Sequence, residues 1–262
     1  MKTTNRGIQI SVVIIFIIVF LAVVGYFSMN GGDRKLAERQ SLGLSMVWND
    51  RQLGGYIMGD GRRIKDGLLL RSGRLIDATE DDINILYEKY DLKTVVDLRN
   101  DKEIEANPDV EMPGVRNIQA NLYPEQGEPG FDNHYYIRYL ATDTAKAGYR
   151  QVFTSLLENE EGAFLWHCKS GKDRTGLASM LILSALGADE DLIMQDFLLT
   201  NTVYKEEPDM PVAGEVKEED MRIALNYLNE TYGSPLGYIK EELGLTDEDI
   251  QILKDRYLEE NL

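Results

Sequence analysis

The residues from Ala163 to Leu186 constrain the fold of this chain more than any other stretch. An apolar run, Ala163 to Trp166, leads to the only cysteine, Cys168, and a second apolar run extends from Leu177 to Leu186. The first run is short and typical of a buried strand, whereas the second is long enough for a buried helix. The stretch therefore predicts a strand, a tight turn and a helix, which is a building unit of α/β proteins.

Predicted strands and helices alternate on the amino side of this stretch. The strands are Leu68–Arg71, Lys93–Leu98 and Val115–Leu122. One helix begins after the N-cap Thr79, and three more cover Asn100–Ala106, Tyr135–Leu140 and Ala145–Leu157. Further helices follow at Asp189–Leu199, Met221–Tyr232, Pro235–Leu243 and Thr246–Leu258, with an acidic loop or lid at Tyr204–Asp220. This order predicts an α/β domain with a central, mostly parallel sheet flanked by helices.

The turn after the strand combines a thiol with a fixed positive charge. Five residues separate Cys168 from Arg174. A thiol with a pKa near ~8.5 attacks phosphorus only as the thiolate, so its surroundings must favour the anion. The turn amides and the helix dipole favour negative charge there, Gly171 permits a left-handed backbone, and Arg174 offers two parallel donors. The spacing predicts a phosphate-binding loop with Cys168 as its nucleophile.

Phosphate release from such a site requires an acid to protonate the leaving oxygen. Asp173 within the loop and Asp97 at the end of a preceding strand are the two candidates, and the sequence leaves both open. Thr175 is predicted to hydrogen-bond the sulfur, and His167 to order the loop from below. The residues predicted to bind the substrate phosphate are Lys169, Ser170, Gly171, Lys172, Asp173 and Arg174.

The net charge of the chain limits its partners. The sequence has 28 basic and 45 acidic residues and a formal net charge of -17. Such a charge repels nucleic acid, so a nucleic-acid partner is not expected, and an anionic substrate must be captured by a local positive site. One cysteine and two histidines provide neither a disulfide framework nor an ordinary structural zinc site. We expect no metal and no cofactor.

The sequence around Cys168 resembles that of a known family. His167 to Gly176 matches the His-Cys-x-x-Gly-Lys-Asp-Arg-Thr-Gly motif of the bacterial tyrosine phosphatases related to secreted mycobacterial and listerial enzymes. Three upstream segments are also similar to that family: Asn49–Tyr56, in which Gln52 replaces the usual Asp, Gly67–Gly73 and Val95–Arg99. The similarity extends from about Trp48 to Asn201.

The resemblance implies a protein tyrosine phosphatase-like fold and hydrolysis of phosphomonoesters through a cysteinyl-phosphate. It assigns Cys168 as the nucleophile, Arg174 as the phosphate clamp and Asp173 as the general acid, since a separate Trp-Pro-Asp loop is absent from the sequence. The implied partners are phosphotyrosine proteins or peptides. The two loop lysines also resemble those of phosphoinositide 3-phosphatases, so phosphoinositides and dual specificity remain open.

Two other functions are compatible with the same residues. A phosphate-binding adaptor would keep the loop for recognition without turnover, and a redox-sensing thiol would use Cys168 for reversible oxidation. Each differs from a phosphatase in a simple assay: the adaptor binds phosphopeptides without releasing phosphate, and the redox thiol does not respond to phosphate.

The amino terminus predicts a membrane segment. No charged residue occurs between Gly7 and Gly32, and about 20 apolar residues match the roughly 30 Å hydrocarbon core of a bilayer. Lys2 and Arg6 precede the segment, so we expect the amino terminus in the cytoplasm and the catalytic domain outside it. The predicted organisation is a tail (1–7), a transmembrane helix (8–28), a tether (29–40) and the phosphatase domain (41–262). Cleavage of 8–28 as a signal sequence, with secretion, is the alternative.

Overall fold

The computed structural model describes residues 32–206 and 214–261. The chain divides into two units, Met1–Arg39 and Gln40–Leu262. In the first unit the described residues, 32–39, are helical. No helix within the described ranges has the length and apolar character needed to cross a bilayer. The predicted membrane segment, 8–28, lies outside the described residues.

A five-stranded sheet forms the centre of the second unit. Its strands, in chain order, are β1 (Arg51–Gln52), β3 (Leu69–Ser72), β4 (Leu92–Asp97), β5 (Arg116–Gln119) and β6 (Ala163–His167). Their order across the sheet is β1-β3-β6-β4-β5. The pairs β3–β6, β6–β4 and β4–β5 are parallel, and β1–β3 is antiparallel. The prediction of a mostly parallel central sheet is therefore confirmed.

Two short strands form a separate antiparallel pair, β2 (Arg63–Ile64) with β7 (Leu258–Glu259). The turn before β3 is held by Gln52, whose Oε1 accepts a hydrogen bond of 2.6 Å from the Gly67 backbone N–H. Gln52, which departs from the family pattern, thus closes the hairpin as an acceptor, and a carboxylate would provide the same kind of acceptor atom.

Nine helices follow the order that the sequence predicts within the described part of the second unit. They are α1 (Glu80–Asn84, continued by a π-helical turn Ile85–Lys89), α2 (Asp101–Ala106), α3 (Tyr135–Ala141), α4 (Asp143–Glu158), α5 (Asp173–Leu186), α6 (Glu190–Glu206), α7 (Glu218–Tyr232), α8 (Pro235–Glu241) and α9 (Asp247–Tyr257). Thr79, Asn100 and Thr246 each form a capping box at the start of a helix. These boxes satisfy backbone N–H groups that the first turn leaves unpaired.

The central strand of the sheet, β6, is buried throughout because helices cover both faces of the sheet. Leu165 belongs to an apolar cluster with Leu86 of the π-helical turn. Trp166 points to the other face, where its indole N–H lies 3.3 Å from the Thr175 carbonyl and the Ser179 hydroxyl of α5. Successive side chains alternate along a strand, so this arrangement requires an apolar partner on each face.

The predicted acidic loop at Tyr204–Asp220 is shorter in the structure. Helix α6 continues to Glu206, and α7 begins at Glu218. Glu218, Glu219 and Asp220 occupy the first turn of α7, where acidic side chains interact favourably with the helix dipole. Residues 207–213 lie outside the described ranges.

Candidate active site

The loop that follows β6 lies at the carboxyl edge of the sheet. Strand β6 ends at His167, which is level with Ser72 of β3 and Asp97 of β4. The loop comprises residues 168–172, and α5 begins immediately afterwards at Asp173. Ligands bind at this edge in open α/β sheets because the loops between strands and helices converge there. The predicted strand, turn and helix are all present.

Gly171 fixes the path of this loop. Its φ is +65°, and an added Cβ would lie 2.6 Å from the backbone nitrogen of Gly73 and from the carbonyl carbon of Ser72. Only glycine fits such a left-handed position against another backbone. The Gly171 carbonyl accepts hydrogen bonds from Asn49 (2.6 Å) and Arg71 (2.8 Å) on the side of the protein interior.

Cys168 is a buried free thiol at the base of the loop. Burial alone would raise the pKa of Cys168. The charge of Arg174, the hydroxyl and backbone N–H of Thr175 and the backbone N–H of Ser170 outweigh burial and lower the pKa below its ordinary value. The thiolate is therefore favoured at a lower pH than in a free cysteine.

Arg174 is held by an acid that the sequence analysis missed. Its guanidinium donates to both carboxylate oxygens of Glu103, at 2.6 and 2.8 Å. Burial alone would lower the pKa of Arg174, but Glu103 and Cys168 raise it. The same carboxylate caps α2, since Glu103 Oε2 accepts from the Asn100 backbone N–H at 3.2 Å. The capping box of Asn100 and Glu103 is visible in the sequence, but it does not reveal that Glu103 also binds Arg174.

Asp173 is the first residue of α5, and its side chain is 25% exposed. Its Oδ1 accepts a hydrogen bond of 2.5 Å from the hydroxyl of Tyr136 in α3. Lys172 Nζ lies 3.8 Å from its other oxygen. Burial and the charge of Asp173 both raise the pKa of Tyr136, so the phenol stays protonated and acts as the donor.

Asp97 belongs to a separate network of charges. Arg99 binds both of its oxygens and also Asp109, with closest distances of 2.7 and 2.5 Å. His167 lies between the two acids, with Nε2 3.3 Å from Asp109 and Nδ1 3.9 Å from Asp97. Burial alone would lower the pKa of His167, but the two carboxylates raise it to about 9.

This network also ties His167 to the loop, because Nδ1 lies 3.2 Å from the Cys168 carbonyl oxygen. Asp97, Asp109 and His167 offer three possible metal-ligand atoms within 4.8 Å of one another. Arg99, however, already occupies both carboxylates, and a protonated histidine is not a ligand. The donor set thus fits a salt-bridge network rather than a cation site.

The two loop lysines point in different directions. Lys172 donates to the Gly214 carbonyl at 2.9 Å. Lys169 is exposed and lines a cleft of about 520 Å³ beside the loop. The carbonyl of Ser170 accepts from the hydroxyl of Tyr204 in α6.

A buried ion network that the sequence analysis missed supports the loop from behind. Asp196 of α6 pairs with Arg51 at 3.1 Å and with Arg71, and all three side chains are buried. Burial alone would raise the pKa of Asp196, but Arg71 and Arg51 lower it. Arg71 also donates to the Gly171 carbonyl, so the network positions the loop. No local sequence pattern joins residues that are more than one hundred positions apart.

Tyrosines form a wall beside the loop. Tyr123 and Tyr135 are 46% and 45% exposed, and both pack edge to face against the buried Tyr139, with ring centroids 6.3 and 5.0 Å apart. The guanidinium carbon of Arg174 lies 5.7 Å from the Tyr123 ring. The wall offers an aromatic surface next to the phosphate-binding residues.

Comparison with known proteins places these residues in a wider group. A model of a tyrosine phosphatase family matches residues 42–259. A Cupriavidus necator protein, named as a candidate tyrosine-protein phosphatase, is 28% identical over 250 residues, which cover 84% of this chain and 89% of that protein. A tyrosine-protein phosphatase of Nostoc commune is 25% identical over 221 residues, 70% of this chain and 71% of that protein. The triple specificity protein phosphatase PtpB of Mycobacterium tuberculosis is 31% identical over 132 residues, 40% of this chain and 47% of that protein.

Proposed function

This chain belongs to the tyrosine phosphatase family, and on that basis we propose that it hydrolyses phosphotyrosine through a cysteinyl-phosphate on Cys168. The observation that carries the proposal is the buried Cys168 thiol, whose pKa is lowered by Arg174, Thr175 and the loop amide of Ser170 despite its burial. The groups that stabilise a thiolate also suit a phosphate dianion and the charge on its oxygens in the transition state.

The proposed reaction has two displacement steps. The Cys168 thiolate attacks phosphorus, so that an S–P bond forms while the bond from phosphorus to the tyrosyl oxygen breaks. Asp173 gives its proton to the departing oxygen. A water molecule then attacks phosphorus and loses a proton to Asp173, and the S–P bond breaks to release inorganic phosphate and the thiolate.

The geometry favours Asp173 over Asp97 as the acid. Asp173 is partly exposed, directly precedes Arg174 and has one oxygen without a hydrogen bond from a described residue. Both Asp97 oxygens accept hydrogen bonds from Arg99. The Asp97 carboxylate is therefore committed to Arg99, whereas Asp173 keeps one oxygen available to a substrate.

The exposed rings of Tyr123 and Tyr135 support an aryl phosphate as substrate. An aromatic leaving group next to them can adopt edge-to-face or offset packing, which contributes about 0.5–1.5 kcal/mol per pair beyond the buried area. An aliphatic phosphate gains less from the same surface. The wall therefore favours phosphotyrosine over phosphoserine.

Turnover of 4-nitrophenyl phosphate by the full chain in detergent, with a chelator present, tests the proposed function. We expect phosphate release that vanadate inhibits, no release by Cys168→Ser, and a trapped phosphoenzyme in wild type after rapid acid quench. Phosphopeptide binding without turnover would instead identify an adaptor. Full activity of Cys168→Ser would overturn the proposal.

We further propose that residues 8–28 anchor the chain in the membrane with the phosphatase domain outside the cytoplasm. The apolar sequence and the preceding Lys2 and Arg6 support this placement. Protease treatment of intact spheroplasts should degrade the domain, and alkaline carbonate should not extract the chain from membranes. A mature chain that begins after residue 28 would show cleavage and secretion instead.

A further inference from the structure

The cleft beside the loop has an excess of positive charge. It has a volume of about 520 Å³ and lies between Lys169 of the loop, Arg74 after β3, residues of α2 including Lys102 and Glu103, and Tyr123. This size is within the roughly 300–1,000 Å³ of small-molecule sites. The backbone joins two of these elements, since the Arg74 N–H donates to the Lys169 carbonyl at 3.3 Å.

Internal ion pairs compensate two of the charged groups in this lining. Arg99 is paired with Asp97 and Asp109, and Glu103 is paired with Arg174. Arg74, Lys102 and Lys169 form no ion pair with any carboxylate that the structure describes. These three cationic side chains are therefore available to a ligand, although the formal net charge of the whole chain is -17.

Arg74 adds an observation of its own. Its guanidinium carbon lies 5.3 Å from the centre of the Trp48 ring, and its Nε is buried without a hydrogen-bond partner in the described part of the chain. A buried donor without a partner is destabilising. Arg74 also lines the cleft, so its guanidinium is a candidate donor to a ligand oxygen there.

We infer that the cleft is a second anion subsite, which takes a phosphate or carboxylate group carried by the same substrate whose scissile phosphate lies at Cys168. The inference rests on the proposed function, because Lys169 belongs both to the catalytic loop and to the cleft. Arg74 and Lys102 lie outside the loop, so the subsite extends recognition beyond the group that is hydrolysed. The preferred substrate thus bears at least two anionic groups on one molecule.

Matched substrates test this inference in the full chain. One pair is a phosphotyrosine peptide with and without a neighbouring phosphoserine, and the other is a soluble inositol bisphosphate and the corresponding monophosphate. We expect wild type to prefer the doubly phosphorylated member of at least one pair by about tenfold in kcat/KM, and added salt to reduce that preference. Preference in only one pair supports the subsite and identifies the scaffold that it accepts.

Charge-neutralising variants locate the effect. In Lys102→Gln the preference should fall about fivefold, which corresponds to the loss of about 1 kcal/mol of attraction at a solvated site. Lys93→Gln is the matched control because Lys93 lies near the amino end of β4 and is paired with Asp91. Equal preference in Lys102→Gln and Lys93→Gln would overturn the inference.

A binding measurement separates failure of the subsite from failure of the proposed function. Cys168→Ser cannot turn over substrate, so calorimetry gives the dissociation constants of both members of each pair directly. Tighter binding of the doubly phosphorylated ligands supports the subsite even if wild type hydrolyses nothing. Identical dissociation constants in both pairs, alongside normal turnover of 4-nitrophenyl phosphate by wild type, would reject the subsite and leave the phosphatase assignment intact.

Discussion

The hydroxyl of Tyr136 donates a hydrogen bond of 2.5 Å to Oδ1 of Asp173. Tyr136 is buried and packs edge to face against Phe197, with ring centroids 6.1 Å apart, so its position is fixed by the core. The side chain of Asp173, at the start of α5, forms no other hydrogen bond with a described residue. Tyr136 thus fixes one carboxyl oxygen of Asp173 and leaves the other without a hydrogen bond from a described residue.

Replacing Tyr136 with Phe should impair proton donation specifically. General acid catalysis contributes about 10²–10⁴-fold to the rate. We expect Tyr136→Phe to lower kcat for phenyl phosphate by about tenfold. The kcat for 4-nitrophenyl phosphate should change little, because its leaving group needs less protonation. Tyr136→Phe in an Asp173→Asn background should have no further effect on kcat; an unchanged tenfold loss there would show that Tyr136 does not act through Asp173.

Replacing Glu103 with Gln should weaken the hold on Arg174. The amide keeps the size of the side chain and can still cap α2, but it accepts at one atom and carries no charge. Misplacement of a catalytic group by about 1 Å costs up to ~10²-fold, so we expect kcat/KM for 4-nitrophenyl phosphate to fall by about tenfold and vanadate to inhibit less tightly. Glu105→Gln on the exposed face of α2 is the control, and a similar loss in that variant would contradict the assignment.

The raised pKa of His167 predicts a loss of stability in mild alkali. A histidine with a pKa of about 9 in the fold and about 6.5 in the unfolded chain stabilises the fold fully below pH ~6.5. That contribution, about 3 kcal/mol, disappears as the pH rises to about 9. Cys168, whose pKa is lowered, has the opposite pH dependence, so the measurement belongs in a Cys168→Ser background.

Urea unfolding of Cys168→Ser between pH 6 and 9.5 should therefore show a falling free energy of unfolding. The double variant His167→Gln, Cys168→Ser should be less stable at pH 6 and nearly independent of pH over the same range. The same slope in both proteins would show that another group is responsible.

Removing Asp196 should destabilise the fold strongly. Asp196→Ala leaves Arg51 and Arg71 buried without their carboxylate, and breaking a buried pair in this way costs about 3–5 kcal/mol. Asp191→Ala, an exposed acid in the first turn of the same helix, should cost well under half of that. Because the pKa of Asp196 is lowered, its contribution is present above pH ~4 and is lost as the pH falls further. A loss below about 1 kcal/mol in urea unfolding of Asp196→Ala would contradict the prediction.

The elements that surround the loop could be predicted from local sequence patterns. Apolar periodicity located the strands β3, β4 and β6 and the helix α5, and the capping residues Thr79 and Thr246 marked helix starts. The sequence also predicted a left-handed backbone at Gly171, whose φ is +65°. These features depend on residues within a few positions of one another, which is why a single sequence reveals them.

The supporting residues could not be predicted in the same way. Glu103 and Arg174 are 71 positions apart, and Arg71 and Asp196 are 125 positions apart. Their pairing depends on which strand ends lie side by side, and the strand order was not predicted. The sequence also left both Asp97 and Asp173 open as the acid, because it does not show that Asp173 is bonded by Tyr136, which is 37 positions away.

Glu103 Oε2 accepts hydrogen bonds both from the backbone at the start of α2 and from Arg174. Fraying of this six-residue helix would therefore release the arginine at the same moment. Local opening, which usually costs far less than global unfolding, would then set the fraction of molecules with an assembled phosphate clamp. Amide hydrogen exchange of α2 should slow when vanadate binds, which would make the first turn of a short surface helix a reporter of catalytic competence.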